Sequence, residues 1–380
     1  MRTAREWGVY VGEVVLLLAL ELSSKSWRLV FGANGRRRHV TLEPGDAAGF
    51  LEAVARAKAK LGLPADAPVV SCYEAGRDGF WVHRWLAQHG GVRNVVIDSA
   101  SIEVSRRARQ VKTDRVDGEK LWSLLHRWYG GDADALRVVR VPSREEEDLR
   151  VLHRERQAEV KKRTTVGNRI KGLLAAQGMV LEGRKSTWIE QLEHARTGDG
   201  QALGPNLKAR LVREIEAYLK LSQRIKALED AQRTQLKAAA GAGPFALVEL
   251  LKTLRGVGMQ SAWTLVFELF GWRRYRNRKE LAASVGLVST PYDSGESQRE
   301  QGLSKSGNRR VRTLMIELAW SWLRFQPDSA LSQWWQTRFA STKRGRKVGI
   351  AALARKLLIA LWRMSQTGEI PAGARLSLAR

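Results

Sequence analysis

The chain has 380 residues, 44% of them hydrophobic, which suffices for two or three domains with real cores and excludes a disordered polymer. Its 65 Lys and Arg against 39 Asp and Glu give a formal charge of +26, an excess that points first to nucleic acid and second to an anionic membrane surface. Insertion into a membrane is disfavoured because the longest apolar run, Val14 to Leu20, is far short of the roughly 20 residues of a spanning helix, and the single cysteine, Cys72, excludes an internal disulfide or a multi-cysteine zinc site.

That first apolar run reads as a buried strand. A secretory leader fits poorly, since Arg2 and Arg5 precede the run but Glu6, Glu13 and Glu21 interrupt or close it, and no small-residue cleavage site follows. A reducing cytosol suits the lone thiol, and Cys72 reads as core because it lies within Val69-Val70-Ser71-Cys72-Tyr73. Runs at Val14–Leu22, Trp27–Phe31 and His39–Leu42 predict three antiparallel strands, the last two joined by the turn Gly32-Ala33-Asn34-Gly35. A helix over Asp46–Leu61, a strand over Val69–Tyr73, a helix over Phe80–Gln88, a strand over Asn94–Ile97 and a helix starting at Thr113 complete the order βββαβαβα. This is the layout of an RNase H-like domain, assigned to residues 1–140.

Four acids fall where that layout could gather them. Glu21 closes the first strand and Glu74 follows the fourth. Asp114 and Asp117, behind a candidate N-cap at Thr113, share one face at the start of the last helix. Each acid alone also reads as a solvated strand end or helix start. Four together at one end of a sheet would repel one another unless cations neutralised them, so the set predicts a divalent-metal site. All the ligands are hard oxygens, with no His or Cys among them, which makes Mg²⁺ the natural ion.

From Val141 the character changes. Pro142 breaks the chain, and Ser143 with Glu146 forms a capping-box pattern opening a long charged helix to about Gln177. After the polar interval Gly198–Pro205, the spacing of Leu211, Ile215, Tyr218, Ile225 and Leu228 predicts a second long helix, so residues 141–240 read as an antiparallel coiled-coil hairpin. Lys161, Lys162, Arg163, Arg169 and Lys171 along it would hold nucleic acid or form a solvated face. Residues 241–380 read as a helical domain. In it Leu254-Arg255-Gly256-Val257-Gly258 has the shape of a helix-hairpin-helix turn whose Gly256 and Gly258 would admit a phosphate, or of a plain tight turn. Basic clusters at Lys305–Arg312 (Lys305, Asn308, Arg309, Arg310, Arg312) and Arg338–Lys347 (with Lys343, Arg344, Arg346, Lys347) read as phosphate contacts. They are flanked by Trp320, Trp322, Trp334, Trp335 and Trp362. Between them, Val288–Ser306 reads as a polar loop containing Thr290-Pro291-Tyr292-Asp293-Ser294-Gly295-Glu296-Ser297.

Glu21-Leu22-Ser23-Ser24-Lys25-Ser26-Trp27, Tyr73-Glu74-Ala75-Gly76, Lys112-Thr113-Asp114-Arg115-Val116-Asp117, Tyr292-Asp293-Ser294-Gly295 and Lys305-Ser306-Gly307-Asn308-Arg309-Arg310-Val311-Arg312 occur in this order. Together they resemble the DEDD-type insertion-sequence transposases of the IS-one-ten family, relatives of the Piv-type DNA invertases. The resemblance runs over nearly the whole chain, with one departure: Glu21 stands where the family usually has Asp. It implies a RuvC-like domain whose Glu21, Glu74, Asp114 and Asp117 bind Mg²⁺, and a helical transposase domain whose Ser294 becomes covalently linked to DNA, with Ser297 as the alternative nucleophile. It further implies a homo-oligomer, dimer or tetramer, in the prokaryotic cytosol, that acts on element ends and target DNA and uses a structured bridge RNA to select them. Two rival readings remain open: a metal-dependent Holliday-junction resolvase or nuclease that attacks with water, and a catalytically disabled nucleic-acid-binding derivative.

Overall fold

The computed structural model describes residues 14–76, 79–98, 114–294, 297–304 and 306–377, with side chains throughout except at 114–116 and 290–301. Arg2, Arg5, Glu6 and Glu13, the N-cap candidate Thr113, Gly295 and Glu296 of the serine motif, and Lys305 therefore lie outside the described residues. The chain divides into two compact units, Met1–Ser143 and Arg144–Arg380.

In the first unit, β1 (Leu16–Leu22), β2 (Trp27–Ala33) and β3 (Arg36–Leu42) form an antiparallel meander. After α1 (Ala47–Lys60), β4 (Val69–Glu74) pairs parallel with β1; after α2 (Trp81–Gly90), β5 (Arg93–Ile97) pairs parallel with β4. α3 (Asp114–Tyr129) and the short β6 (Val138–Val139), antiparallel to β5, complete a sheet of order β3-β2-β1-β4-β5-β6. The predicted strands and their pairing are present. β3 starts three residues before the predicted His39, because Asn34 and Gly35, at φ 50° and 72°, make a two-residue turn that pairs Ala33 with Arg36. Its first residues are arginines, a charged edge that hides the strand from a hydrophobicity reading and discourages pairing with other chains.

β1 is buried on both faces, which explains its unbroken apolar sequence. Leu16, Leu18 and Leu20 pack with Phe50, Val54, Val82 and Leu86 of α1 and α2, while Val15, Leu17 and Ala19 pack with Leu121, Leu125 and Trp128 of α3. α3 approaches the sheet closely at Gly32: a Cβ there would lie 2.3 Å from the Trp122 ring, so only glycine lets the indole rest on β2. Cys72 is fully buried in the α3-side core, as its apolar neighbours imply.

The second unit opens with α4 (Arg144–Asp148) and α5 (Val151–Ala175). The single helix predicted from Ser143 to about Gln177 is thus broken at Leu149–Arg150. A 3₁₀ turn (Lys185–Thr187) and α6 (Trp188–His194) lead to α7 (Pro205–Ala238), which runs antiparallel to α5 with ion pairs Arg156–Glu229 and Arg169–Glu214 across the seam. The far end of this pair has a small core of its own, built from Ile170, Leu174, Trp188, Leu192, Leu211 and Ile215. Leu211 and Ile215 belong to the apolar spacing read from the sequence, whereas their partners on α5 and α6 are not marked by any such spacing.

Next come α8 (Pro244–Lys252), α9 (Met259–Leu265), which continues as a π-helical turn Val266–Phe270, and α10 (Arg278–Ser284). The segment read as a polar loop is instead a hairpin of β7 (Ser289–Ser294) and β8 (Ser297–Leu303), in register from Thr290↔Gln301 to Ser294↔Ser297. Its residues are polar almost throughout, so no alternation of apolar residues reveals the strands. α11 (Arg309–Phe325), α12 (Ala330–Phe339) and α13 (Lys343–Thr367) close the unit around Leu353, Leu357, Leu358 and Leu361 of α13, all 0% exposed. No helix of the described residues is long and apolar enough to cross a membrane.

Candidate functional site

Strand register brings Glu21 and Glu74 together. β1 and β4 are parallel and in register through Leu20↔Tyr73, so Glu21 and Glu74 are the next pair, on strands about 4.8 Å apart. Side chains alternate faces along a strand: Leu20 and Tyr73 belong to the α1/α2 core, while Ala19 and Cys72 belong to the α3 core. Positions 21 and 74 therefore both fall on the α3 face. The first turns of α3 pass beside them. A Cβ built on Gly118 would meet Val30 Cγ2 at 3.1 Å and Glu21 Cβ at 4.0 Å, so a small residue here lets the helix start lie against Glu21.

Glu21, Ser23, Ser24, Glu74 and Gly76 line a cleft of about 390 Å³ at this end of the sheet. Its walls are set by local bonds: Ser23 Oγ donates to Ser26 O at 2.8 Å in the β1–β2 turn, and Tyr73 OH donates to Gly79 O at 3.0 Å beyond Glu74. Asp117 is partly exposed, with Lys120 Nζ at 3.8 Å. The side chain of Asp114 lies outside the described residues, and among the described residues no three acidic, imidazole or thiol groups are gathered tightly enough to enclose an ion. Glu21 and Glu74, which line the open cleft, offer hard oxygen donors of the kind that a divalent ion such as Mg²⁺ takes.

The second centre is the β7–β8 hairpin. Ser294 and Ser297 occupy facing backbone positions in the register, and their side chains lie outside the described ones. Backbone bonds close the base of the hairpin. Ser304 N–H donates to Val288 O and Asn308 N–H to Ser284 O, each at 2.8 Å. Gly307, at φ 78°, sits so close to Ser284 O that a Cβ would come within 2.3 Å. Arg312 Nη1 donates to Val285 O at 3.2 Å and Ser306 O at 2.9 Å. Asn308 caps α11, its Oδ1 accepting from the amides of Arg310 and Val311, and its Nδ2 donates to Glu268 Oε2 at 3.0 Å.

Glu268 is a residue that the sequence reading misses. Its carboxylate, 2% exposed on the π-helical turn, accepts from His153 Nε2 at 2.9 Å and from Arg154 Nε and Nη2 at 2.7 and 2.9 Å, with Arg310 Nε at 3.6 Å. Burial opposes the charged form, but the His153 and Arg154 hydrogen bonds outweigh it and hold the carboxyl well below the usual range. Burial also pushes His153 down, keeping the imidazole neutral with Nε2 as its donor. The signal that could have found it is a lone acid inside the apolar run Trp263-Thr264-Leu265-Val266-Phe267-Glu268-Leu269-Phe270.

The residues read as phosphate contacts divide by placement. Asn308, Arg310 and Arg312 are engaged within the unit, Arg310 Nη1 also donating to Gln157 Oε1 at 3.1 Å, whereas Arg309 is exposed. Gly256, at φ 90°, packs against Phe325, and its carbonyl accepts from Ser321 Oγ at 3.1 Å, so this glycine serves helix packing; Gly258 is exposed. Lys343, Arg344, Arg346 and Lys347 are exposed in the first turns of α13, where the helix dipole disfavours cations and an arriving phosphate would be doubly favoured. Of the five flanking tryptophans, Trp322 and Trp335 are core and Trp320 is 47% exposed.

A family model described as Transposase IS116/IS110/IS902 family matches residues 248–333. The y4rJ protein of Sinorhizobium fredii, assigned as a transposase, is 39% identical over 376 residues, covering 94% of each chain. The transposase for insertion sequence element IS1111A of Coxiella burnetii is 27% identical over 66% of each chain. That for insertion sequence element IS1328 of Yersinia enterocolitica is 25% identical over 68% of this chain and 73% of its own.

Proposed function

Since the chain belongs to the IS116/IS110/IS902 family of insertion-sequence transposases, enzymes that cut and rejoin DNA, we propose that it does so through a covalent link between Ser294 and DNA, with an RNase H-like first unit whose carboxylates act on the same phosphate. The observation that carries this reading is the side-by-side placement of Glu21 and Glu74 on the α3 face, at the ends of parallel strands and beside the start of α3. Glu21, Glu74, Asp114 and Asp117 would hold Mg²⁺, which when bound neutralises phosphate charge and lowers the barrier to attack. Glu21 has one methylene more than the aspartate usual in the family, and it reaches the cleft from a strand end that α3 buttresses at Gly118.

In the reaction, Ser294 Oγ forms a bond to phosphorus as the bond from phosphorus to the departing strand oxygen breaks, and the proton lost by the hydroxyl is taken up by that oxygen. Rejoining reverses the exchange with the hydroxyl of another strand, which restores the serine. The carboxylates and the serine belong to separate units, so the reaction needs both units to act on one phosphate. Exposed Lys343, Arg344, Arg346 and Lys347 would supply sequence-independent phosphate contacts. The charge of +26 would serve a structured bridge RNA as well as DNA, within a homo-oligomer.

Ser294→Ala is expected to abolish the covalent protein–DNA adduct and strand exchange while leaving DNA binding in place. An adduct that persists in Ser294→Ala and vanishes in Ser297→Ala would move the nucleophile to Ser297. One that survives both changes would sink the serine mechanism. Mixing Ser294→Ala with Asp114→Asn protein should restore activity if one subunit's serine works with another's carboxylates.

A further inference from the structure

Glu268 joins three elements of the second unit at one buried point. The π-helical turn carries it, His153 and Arg154 reach it from the first turn of α5, and Asn308 and Arg310 reach it from the start of α11. Asn308 follows closely on the end of β8 at Leu303, and the Ser304 and Asn308 N–H groups fasten the segment after β8 to Val288 and Ser284, which precede β7. Asn308 is therefore a junction, since one side-chain atom caps α11 and the other ties to Glu268.

We propose that Glu268 is a positioning residue for strand cleavage: acting through Asn308, it fixes the base of the β7–β8 hairpin to the root of the α5–α7 helical pair, and so sets where the serine at the hairpin's end is presented. The proposal rests on the serine reading above and adds a residue remote from the reacting atoms. A buried carboxylate is an unusual choice for mere packing. Apolar residues of similar volume would fill the space at no loss of stability, whereas a charge with several fixed donors defines one arrangement of the elements that supply them. Misplacing a reacting group by about 1 Å costs on the order of 100-fold in rate, so an anchor at the hairpin base has leverage on the reaction without touching DNA.

Two variants test this. Glu268→Gln keeps the shape and loses the charge. Asn308→Ser keeps an N-cap, since serine caps well, and loses only the link to Glu268. In both, the rate of covalent adduct formation at saturating DNA should fall about 10- to 100-fold, with the DNA concentration for half-maximal rate unchanged. Hydrogen exchange at the amides of Ser304, Asn308 and Arg310 should speed up by roughly tenfold or more while α13 stays protected. Ser294→Ala, run beside them, should lose the adduct with exchange at those amides unaltered.

If Asn308→Ser forms the adduct at the parental rate with parental exchange, the positioning role is overturned. That outcome is decisive even if Glu268→Gln fails to fold. A fall in binding strength equal to the fall in rate would also overturn it, by making the cluster a DNA-binding element. Should Ser294→Ala still form an adduct, the serine reading fails separately, and the exchange at the hairpin base alone decides whether Glu268 anchors it.

Discussion

Glu21 and Glu74 are placed by backbone register alone, as neighbours on parallel strands buried along most of their length, whereas the base of the hairpin bearing Ser294 is held by side chains as well as backbone, with Arg312 on two carbonyls and Asn308 tied to Glu268. A register is hard to perturb, because a one-residue slip would exchange Leu16, Leu18 and Leu20 with the smaller set Val15, Leu17 and Ala19 between the two cores and turn Glu21 toward the α1/α2 core. A polar clamp depends on single atoms and fails when one is removed. The rigid half of the proposed chemistry thus sits on a sheet, and the adjustable half on a buried ion network.

Experiments can break this contrast or sharpen it. The largest effect is expected at Glu21: Glu21→Ala should abolish cleavage and Glu21→Asp should keep appreciable activity, with the fold of the first unit unchanged in both. Cleavage by Glu21→Ala would mean that register brought the two acids together for some other purpose. Glu268→Ala comes next, since it leaves His153, Arg154 and Asn308 without their acceptor. It should destabilise the second unit by about 3–5 kcal/mol in denaturant titration and leave the first unit untouched.

The same cluster predicts an acid sensitivity. His153 is held neutral, so below about pH 6.5 the unfolded chain gains a proton that the native one does not, and stability falls. Glu268 is held ionised, so a second loss sets in as the pH drops below the ordinary glutamate value of about 4.3. His153→Gln should flatten the upper limb of that curve, and an unchanged profile would show that another group titrates.

Gly32→Ala is the counterpart in the first unit. Crowding the Trp122 ring should cost about 1–3 kcal/mol there and nothing in the second unit. The smallest effect per residue belongs to α13. Replacing Lys343, Arg344, Arg346 and Lys347 with alanine should lower the slope of log affinity against log salt by about 0.9 for each phosphate that is no longer neutralised, and an unaltered slope would place the DNA elsewhere.

The contrast also explains what is legible in the sequence. The meander, the parallel strands and the position of the two glutamates follow from apolar runs and turn residues, which register converts directly into geometry. β7 and β8 stay hidden because a polar hairpin has no periodicity of burial, and the break at Leu149–Arg150 because charged helices read alike on either side of it. Arg310 and Arg312 read as phosphate contacts because a run of arginines after Ser-Gly-Asn has the composition of one. Three of their partners, Glu268, Gln157 and the Val285 carbonyl, lie from 27 to 153 positions away in sequence, beyond the reach of any local pattern.

Cys72 gives the first unit a built-in stopwatch. It is the only thiol in the chain and is 0% exposed, and burial pushes it far above the ordinary thiol range, so a maleimide in solution meets no thiolate while the sheet is closed. Labelling therefore counts openings of the sheet one molecule at a time, blind to whatever the other 237 residues, 144 to 380, are doing. Adding DNA, a divalent ion or RNA and watching that clock slow would show which of them the first unit grips, with no strand cut.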